Sequence, residues 1–199
     1  KQGMSSYPFG KDGYTIPSAR KNKRALESAD IKQLLDYTPK NDKEYFAVGL
    51  WCTSYYCGGL NAADVIRLRI SEFIPDKEGG AMTEVIRQKT RGQREETKIE
   101  VFLSSRQWSY VSAYLQRFEK NFESICNSDG ATRYRKHKTL IHTINKVLRS
   151  ISEQLDLPPI TTYYARHSAA TQLLRNSVPI AHISQMLGHK SIVTTQVYL

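Results

Sequence analysis

The chain has 199 residues, which is enough for one well-packed domain with a short appendage. Hydrophobic residues make up 40% of it, but no apolar run approaches the roughly 18 residues that a membrane helix needs. No charged-then-apolar secretion signal opens the sequence, so we expect a non-secreted protein that does not bind membranes. The formal net charge is +10, from 29 basic and 19 acidic residues, which favours a polyanionic partner.

Three cysteines, Cys52, Cys57 and Cys126, lack the spacing of metal ligands and cannot all pair with one another. They fit a reducing cytoplasm, in which Cys52 and Cys57 are small core residues. The sequence therefore predicts neither a disulfide framework nor a metal site.

The first part of the chain contains a linker and three helices. Residues 1–23 are rich in Gly, Pro and Lys and show no sustained periodicity, which is typical of a linker. Ser28 is a plausible N-cap for the first helix, which ends at Thr38-Pro39. Gly58-Gly59 separates the two helices that follow. The predicted second and third helices span residues 42–57 and 61–67.

Residues 70–103 change character, because apolar and polar side chains now alternate. Two alternating runs, 83–89 and 98–103, are predicted to be strands, and each follows a polar turn, 76–80 or 90–96. We expect a small antiparallel sheet.

The second half is mainly helical by its apolar periodicity. Residues 127–138 are polar and basic, and we expect them to be mobile. The predicted fold class is therefore mainly α with a small antiparallel β-sheet. The helices predicted in this half span residues 105–125, 139–155, 162–176 and 180–187.

The last forty residues combine arginine, histidine and tyrosine residues with apolar helical residues. The sequence 163–167 reads Tyr-Tyr-Ala-Arg-His, 187–189 reads Leu-Gly-His, and Thr195-x-x-Tyr198 follows. In a cationic chain, this combination suggests a phosphodiester attacked by a tyrosine while cations hold its oxygens. These residues resemble the tyrosine recombinases (phage integrase family), whose signature is His-x-x-Arg, then Leu-Gly-His, then a nucleophilic tyrosine.

The resemblance covers residues 24–199 and implies the catalytic domain of a site-specific DNA recombinase or integrase. It implies that residues 1–23 are a linker from an N-terminal core-binding domain. The implied partner is double-stranded DNA at attachment sites, bound in a tetrameric synaptic complex of the full-length protein. The implied location is the bacterial cytoplasm, in association with the nucleoid. No cofactor is implied, because the bond energy is kept in a protein–DNA ester.

The resemblance also implies roles for individual residues. Tyr198 is the nucleophile, although its ordinary pKa of about 10 requires electrostatic help near neutral pH. Arg166 holds two phosphoryl oxygens with its planar fork, and His167 supports it. His189 donates to a non-bridging oxygen, and Lys89 protonates the departing 5′-oxygen.

Two positions depart from the family pattern. Asn61 stands where the first catalytic arginine is expected, and Tyr163 stands where histidine is usual. Since side chains two apart on a strand share a face, Arg87 is predicted to point with Lys89 and to supply the missing guanidinium. Both departures resemble integrases carried by mobile elements of gut Bacteroidetes. Three further residues belong to this reading: Arg67 and Arg69 are rivals of Arg87, and Asp64 is expected to orient a neighbouring cation.

Other interpretations remain open at this stage. Tyr198 is alternatively a packing aromatic, His189 a helix-capping residue, and Lys89 a solvated lysine. A metal site with His182 and His189 lacks a third ligand nearby in sequence. A catalytically decayed DNA-binding relative is the main competing function, and type IB topoisomerases share the chemistry.

Overall fold

The computed structural model describes residues 25–196, so the predicted linker 1–23 and Tyr198 lie outside the described residues. The fold class predicted from the sequence is confirmed, since helices surround one three-stranded antiparallel sheet of order β1-β2-β3. A short 3-10 helix, Ile70–Glu72, precedes the sheet. The elements of the described part are α1 (Ser28–Leu35), α2 (Asp42–Tyr56), α3 (Ala62–Val65), β1 (Ile74–Pro75), β2 (Ala81–Ile86), β3 (Lys98–Leu103), α4 (Ser105–Cys126), α5 (Gly130–Gln154), α6 (Thr162–Arg175), α7 (Ile180–Met186) and α8 (Ile192–Gln196).

Helix α2 lies at the centre of the core and contacts α4, α5 and α6. Eight consecutive residues from Ala47 to Ser54 are buried, so α2 has no solvent-exposed face along this stretch. This matches a sequence that is apolar all round, as expected for a helix enclosed by others. The Asn41 side chain begins the helix by accepting a hydrogen bond from the backbone N–H of Glu44, at 3.0 Å.

The predicted N-cap of the first helix is wrong by one residue. Glu27 occupies the cap position and forms a capping box with Asp30, while Ser28 is already helical. The Ser28 hydroxyl instead accepts a hydrogen bond from Nε2 of Gln172 on α6, at 3.0 Å.

The two long strands pair from Ala81 opposite Leu103 to Ile86 opposite Lys98. The strand predicted at 98–103 is confirmed, but the strand predicted at 83–89 is wrong at its end, because β2 stops at Ile86. The backbone N–H of Arg87 still donates to Thr97, at 2.9 Å, and a turn begins there, with Thr90 donating back to Arg87 at 3.0 Å. Arg87 and Lys89 therefore do not share a strand face.

The segment predicted to be mobile, 127–138, is also different in the structure. Helix α5 begins at Gly130, and the Asp129 carboxylate accepts hydrogen bonds from the backbone N–H groups of Ala131 and Thr132. This N-cap makes the basic stretch the first turns of a 25-residue helix. The start of this helix was not predicted because its first turns are mainly polar and basic. The buried apolar residues that show helical periodicity begin only at Ile144.

The cysteine prediction is confirmed for Cys52 and Cys57, which are buried, while Cys126 is half-buried and all three thiols are unpaired. Burial raises the pKa of Cys52 and of Cys57 to about 12, so both thiols stay protonated near neutral pH. Among the helices in residues 25–196, none combines the length and the apolar character that crossing a membrane requires.

Candidate active site

Arg166 is the centre of the site and is almost completely buried on α6, with 2% of its surface exposed. Its Nη1 donates to the carbonyl oxygen of Gly59, at 2.9 Å, and its Nη2 donates to that of Leu187, at 2.5 Å. Nη2 also lies 3.0 Å from Nε2 of His189. These three acceptors carry no negative charge, so they orient the guanidinium without neutralising it. A buried, oriented cation of this kind is suited to binding an anion.

Gly59 allows the loop after α2 to reach Arg166. Its φ of +83° lies in the left-handed region, and a Cβ there would stand 3.0 Å from Cα of Arg166. A larger residue would push this loop away from α6 and withdraw the carbonyl that accepts from Arg166. From the sequence, Gly59 was a helix breaker and the glycine of the family's Gly-Leu pair before Asn61, and its contact with Arg166 was not predicted.

The Leu-Gly-His motif forms the turn after α7. Gly188 adopts a φ of +61°, and the backbone N–H groups of Gly188 and His189 donate to Gln185 and Ser184 on α7. This is the usual left-handed glycine ending of a helix. It places the Leu187 carbonyl and the His189 ring on the same side as Arg166.

His189 is held from both ring nitrogens. Nε2 faces Nη2 of Arg166, and Nδ1 lies 2.8 Å from Oγ1 of the fully buried Thr195. Because a guanidinium can only donate, Nε2 accepts in this contact. Nδ1 then carries the proton and donates to Thr195. The family spacing drew attention to Thr195, but only the fold shows that it orients the imidazole.

Arg87 joins the site from the other side of the same turn. Its Nη1 donates to the carbonyl oxygen of Gly188, at 2.6 Å. Within residues 25–196, its buried Nε has no hydrogen-bond partner. Arg87 and Arg166 therefore both donate to the turn after α7. The prediction that Arg87 lies near Arg166 rested on a shared strand face, which does not exist.

The rival arginines occupy other places. Arg69 donates to the carbonyl oxygen of Leu68, at 2.9 Å, and its Nε lies 3.9 Å from the carboxylate of Glu119 on α4. Arg67 lines a separate cavity against α4 and α5. Neither shares a hydrogen bond with the turn that holds Arg87 and Arg166.

Within the described part of the chain, the Lys89 side chain makes no hydrogen bond with Arg87, Arg166, His189 or the turn after α7. It lies exposed in the loop that joins β2 to β3. The same loop is anchored by Asp64, whose buried carboxylate accepts a hydrogen bond from the backbone N–H of Gln88, at 2.7 Å. Asp64 therefore holds the backbone next to Arg87 and Lys89, a role that sequence analysis did not anticipate. Its role toward a neighbouring cation stays a prediction.

Of the remaining predicted site residues, Tyr163 and His167 share α6 with Arg166, and Asn61 precedes α3. Tyr163 is 43% exposed, and its ring meets that of the buried His167 edge-on, with centroids 4.7 Å apart. Asn61 caps α3 through its carbonyl, which accepts from Asp64 at 2.8 Å, and its side chain makes no capping hydrogen bond. Helix α8 carries Thr195 and leads toward Tyr198, which itself lies outside the described residues.

No group of three or more His, Cys, Asp or Glu side chains in the described ranges is arranged to hold a metal ion. The proposed pair of His182 and His189 thus acquires no third ligand from residues 25–196.

Comparison with known proteins identifies the family. The phage integrase family matches residues 24–199, so the chain belongs to this family. It is 26% identical over 175 residues to the tyrosine recombinase XerA of Thermococcus kodakarensis, a match that covers 88% of this chain and 57% of the relative. A 54-residue stretch is 41% identical to tyrosine recombinase XerD of Listeria monocytogenes, covering 27% of this chain and 18% of the relative. The chain thus spans little more than half the length of the longer-matching relative.

Solved structures show that the fold is that of tyrosine recombinase catalytic domains. A XerA recombinase crystal structure superposes with a TM-score of 0.57 at 21% identity, covering 92% of this chain and 61% of the other. The XerH recombinase in a post-cleavage complex with a palindromic difH substrate superposes with a TM-score of 0.63 at 17% identity. This match covers 94% of this chain and 53% of XerH. The Tn1549 transposon integrase with transposon right-end DNA superposes with a TM-score of 0.57 at 15% identity. This match covers 94% of this chain and 63% of the integrase chain.

Proposed function

We propose that this chain is the catalytic domain of a site-specific DNA recombinase, which cleaves and rejoins DNA through a 3′-phosphotyrosyl intermediate. The observation that carries the proposal is the arrangement of Arg166, Arg87 and His189 around the Leu187-Gly188 turn. Two guanidiniums that donate to one turn, with the imidazole of His189 beside Arg166, form a receptor for a group with several negatively charged oxygens. Family membership gives that group its identity as the scissile phosphodiester.

The reaction needs a nucleophile, charge stabilisation and an acid. The Tyr198 hydroxyl loses its proton to solvent as its oxygen attacks the scissile phosphorus, the P–O5′ bond breaks, and the new ester joins the tyrosine to the 3′-phosphate. Arg166 and Arg87 stabilise the charge that develops on the non-bridging oxygens, together with the Tyr163 hydroxyl. His189 joins them when Nε2 also binds a proton, because the imidazolium can then donate from Nε2 to a phosphate oxygen while Nδ1 keeps its contact with Thr195. Lys89 transfers a proton to the departing 5′-oxygen. A 5′-hydroxyl of a second strand later reverses these steps, so no external energy source is needed.

Charge stabilisation explains why Arg87 matters in this chain. Asn61 carries no charge, so only one arginine of the usual pair is supplied by the family positions. Arg87 already lies against the Gly188 carbonyl, and a bound phosphate could take over as a stronger, charged acceptor. The guanidinium is thus close to its place before DNA arrives, which reduces the cost of reorganisation in the transition state.

The wider setting follows from the same proposal. We infer attachment-site DNA as the substrate and a tetrameric synaptic complex of the full-length protein, acting in the bacterial cytoplasm at the nucleoid. The departures at Asn61 and Tyr163 support an integrase of a Bacteroidetes mobile element. The net charge of +10 supports strong, salt-dependent contacts to DNA phosphates.

The test is a suicide DNA substrate, nicked so that the cleaved end leaves and religation cannot occur. We expect a covalent protein–DNA adduct that disappears after protease treatment. The competing function, a decayed DNA-binding relative, gives retarded complexes on native gels and no covalent species on denaturing gels. Supercoil relaxation by the isolated chain without a partner site would instead favour a type IB topoisomerase.

A further inference from the structure

A cationic cavity borders the loop that carries Arg87, and its lining includes the next residue, Gln88. It has a volume of about 300 Å³ and is enclosed by the segment after α3, the end of α4, the start of α5 and the β2–β3 loop. Its lining includes Arg67, Gln88, Cys126, Arg133 and His137.

The cavity has an excess of positive charge. Burial lowers the pKa of the Arg67 guanidinium, and the neighbouring guanidiniums of Arg91 and Arg133 lower it further. Cys126 and, to a smaller extent, Asp64 raise the pKa of Arg67, and one oxygen of Asp64 is already bonded to the backbone N–H of Gln88. The titratable groups that face one another here are Arg67, Arg91, Arg133, His137, Asp64 and the thiol of Cys126. Such a cluster is balanced by binding an anion.

Two buried polar atoms in the cavity lack partners. Within residues 25–196, neither Nε2 of His137 nor Oε1 of Gln88 has a hydrogen-bond partner. Buried polar atoms are normally satisfied, so two such atoms lining one cavity are suited to binding a polar ligand there. An imidazole N–H at Nε2 would donate to an anion, and a half-turn of the Gln88 amide would present its NH₂ group in the same way.

We propose that this cavity binds a phosphate group, held by Arg67, Arg133, His137 and Gln88. If the proposed function is right, on which this part rests, the group is a backbone phosphate of the bound DNA other than the scissile one. Arg87 and Gln88 are consecutive: Arg87 donates to Gly188 of the active-site turn, while the Gln88 side chain lines the cavity. Occupation of the cavity thus fixes the backbone from which Arg87 reaches the scissile phosphate.

The first experiment uses inorganic phosphate alone, without DNA, and follows the ring resonances of His137 by NMR. We expect saturable shifts in the unmodified chain. Removal of one charged hydrogen bond should weaken binding about tenfold or more in Arg67→Gln, with Arg133→Gln as a second variant. The matched control is Arg135→Gln, which removes the same charge from an exposed position of α5 outside the cavity lining, and which should bind phosphate normally.

An independent readout uses Cys126, which lines the cavity and is half-buried, whereas Cys52 and Cys57 are buried. Phosphate should slow alkylation of Cys126 in the unmodified chain and in Arg135→Gln. It should leave the alkylation rate of Arg67→Gln unchanged at the same concentration.

The second experiment identifies the source of the phosphate. Single backbone phosphates of a duplex site are replaced in turn by neutral methylphosphonates, and affinity is measured for the unmodified chain and for Arg67→Gln. At one position, the methylphosphonate should lower the DNA affinity of the unmodified chain but should not lower that of Arg67→Gln any further. This result would assign the phosphate at that position to the cavity. Saturable binding of phosphate without such a position supports a free phosphate compound as the ligand. If neither phosphate shifts nor a coupled position appears, the proposal is overturned, whatever the outcome of the suicide-substrate test.

Discussion

Arg87 and Arg166 donate hydrogen bonds to the carbonyl oxygens of two consecutive residues, Gly188 at 2.6 Å and Leu187 at 2.5 Å. Arg87 precedes its acceptor by 101 positions, whereas Arg166 precedes its own by 21. One turn therefore sets the spacing of two guanidiniums that come from a hairpin loop and from a helix. This relationship supports the proposal that Arg87 substitutes for the arginine that Asn61 does not provide.

Removal of the Arg87 guanidinium should greatly slow cleavage. We expect Arg87→Ala to cost about 3 kcal/mol in the cleavage step, the size expected for one preorganised donor to a developing charge. Asn61→Ala should cost much less, because its side chain is neutral. The measurement is the single-turnover rate of adduct formation on a suicide substrate.

Two controls separate Arg87 from its rivals. Asn61→Arg in the Arg87→Ala background should recover part of the lost rate, since it restores an arginine at the family position. Arg69→Ala should leave the rate per folded molecule nearly unchanged, because Arg69 is turned toward Glu119. A large loss in Arg69→Ala together with a normal rate in Arg87→Ala would reverse the assignment.

The glycine of the turn should be needed for activity beyond its effect on stability. A Cβ on Gly188 would stand 2.5 Å from Cδ of Arg87, so Gly188→Ala should displace that side chain and reduce cleavage. The matched control is Gly92→Ala. Gly92 also has a left-handed φ, of +77°, but nothing lies within 4 Å of its added Cβ.

Both alanine variants should lose roughly 1–2 kcal/mol of folding free energy through backbone strain, measured by denaturant unfolding. Only Gly188→Ala should also lose cleavage activity. Equal activity in the two variants would show that the Arg87 contact is dispensable.

The nucleophile assignment predicts a clean separation of binding from chemistry. Tyr198→Phe removes only the attacking oxygen, so adduct formation should vanish while DNA affinity changes little. Denaturing gels with labelled suicide substrate measure the first property, and native gels measure the second. An adduct that persists in Tyr198→Phe would mean that another residue attacks the phosphate.

Arg166 should tolerate neither removal nor replacement by lysine. Arg166→Ala should reduce cleavage by on the order of hundreds-fold, comparable to the loss of a preorganised oxyanion contact. Arg166→Lys should recover little, since a point charge cannot replace a planar fork that also bonds Gly59 and Leu187. The measurement is the rate of adduct formation per folded molecule, with the folded fraction checked by circular dichroism. Full activity of the lysine variant would contradict the bidentate role.

Thr195 should act through His189. Thr195→Val keeps the shape and removes the oxygen that lies 2.8 Å from Nδ1, so the imidazole loses its orientation. We expect cleavage to fall roughly tenfold, the equivalent of one hydrogen bond, while Thr195→Ser retains most of the rate. Equal rates for the valine and serine variants would remove Thr195 from the site.

The sequence by itself determined the elements whose pattern is local. The alternation of residues 98–103 predicted β3 with its observed bounds, and the apolar stretch after Asn41 predicted the buried helix α2. The motif containing Arg166 and His189 also pointed to the correct family. Such features are readable because periodicity and motif spacing depend on neighbours along the chain.

Only the tertiary structure decided how the site is assembled. The contact of Arg166 with Gly59 joins residues 107 positions apart, and nothing in either local sequence specifies that pairing. The strand argument for Arg87 was wrong because β2 ends at Ile86 and the chain turns at Arg87, where Thr90 donates back to the Arg87 carbonyl. Arg87 reaches the site because the β2–β3 hairpin packs against the turn after α7. Packing between distant elements, which no local periodicity encodes, therefore sets the spacing of the two guanidiniums.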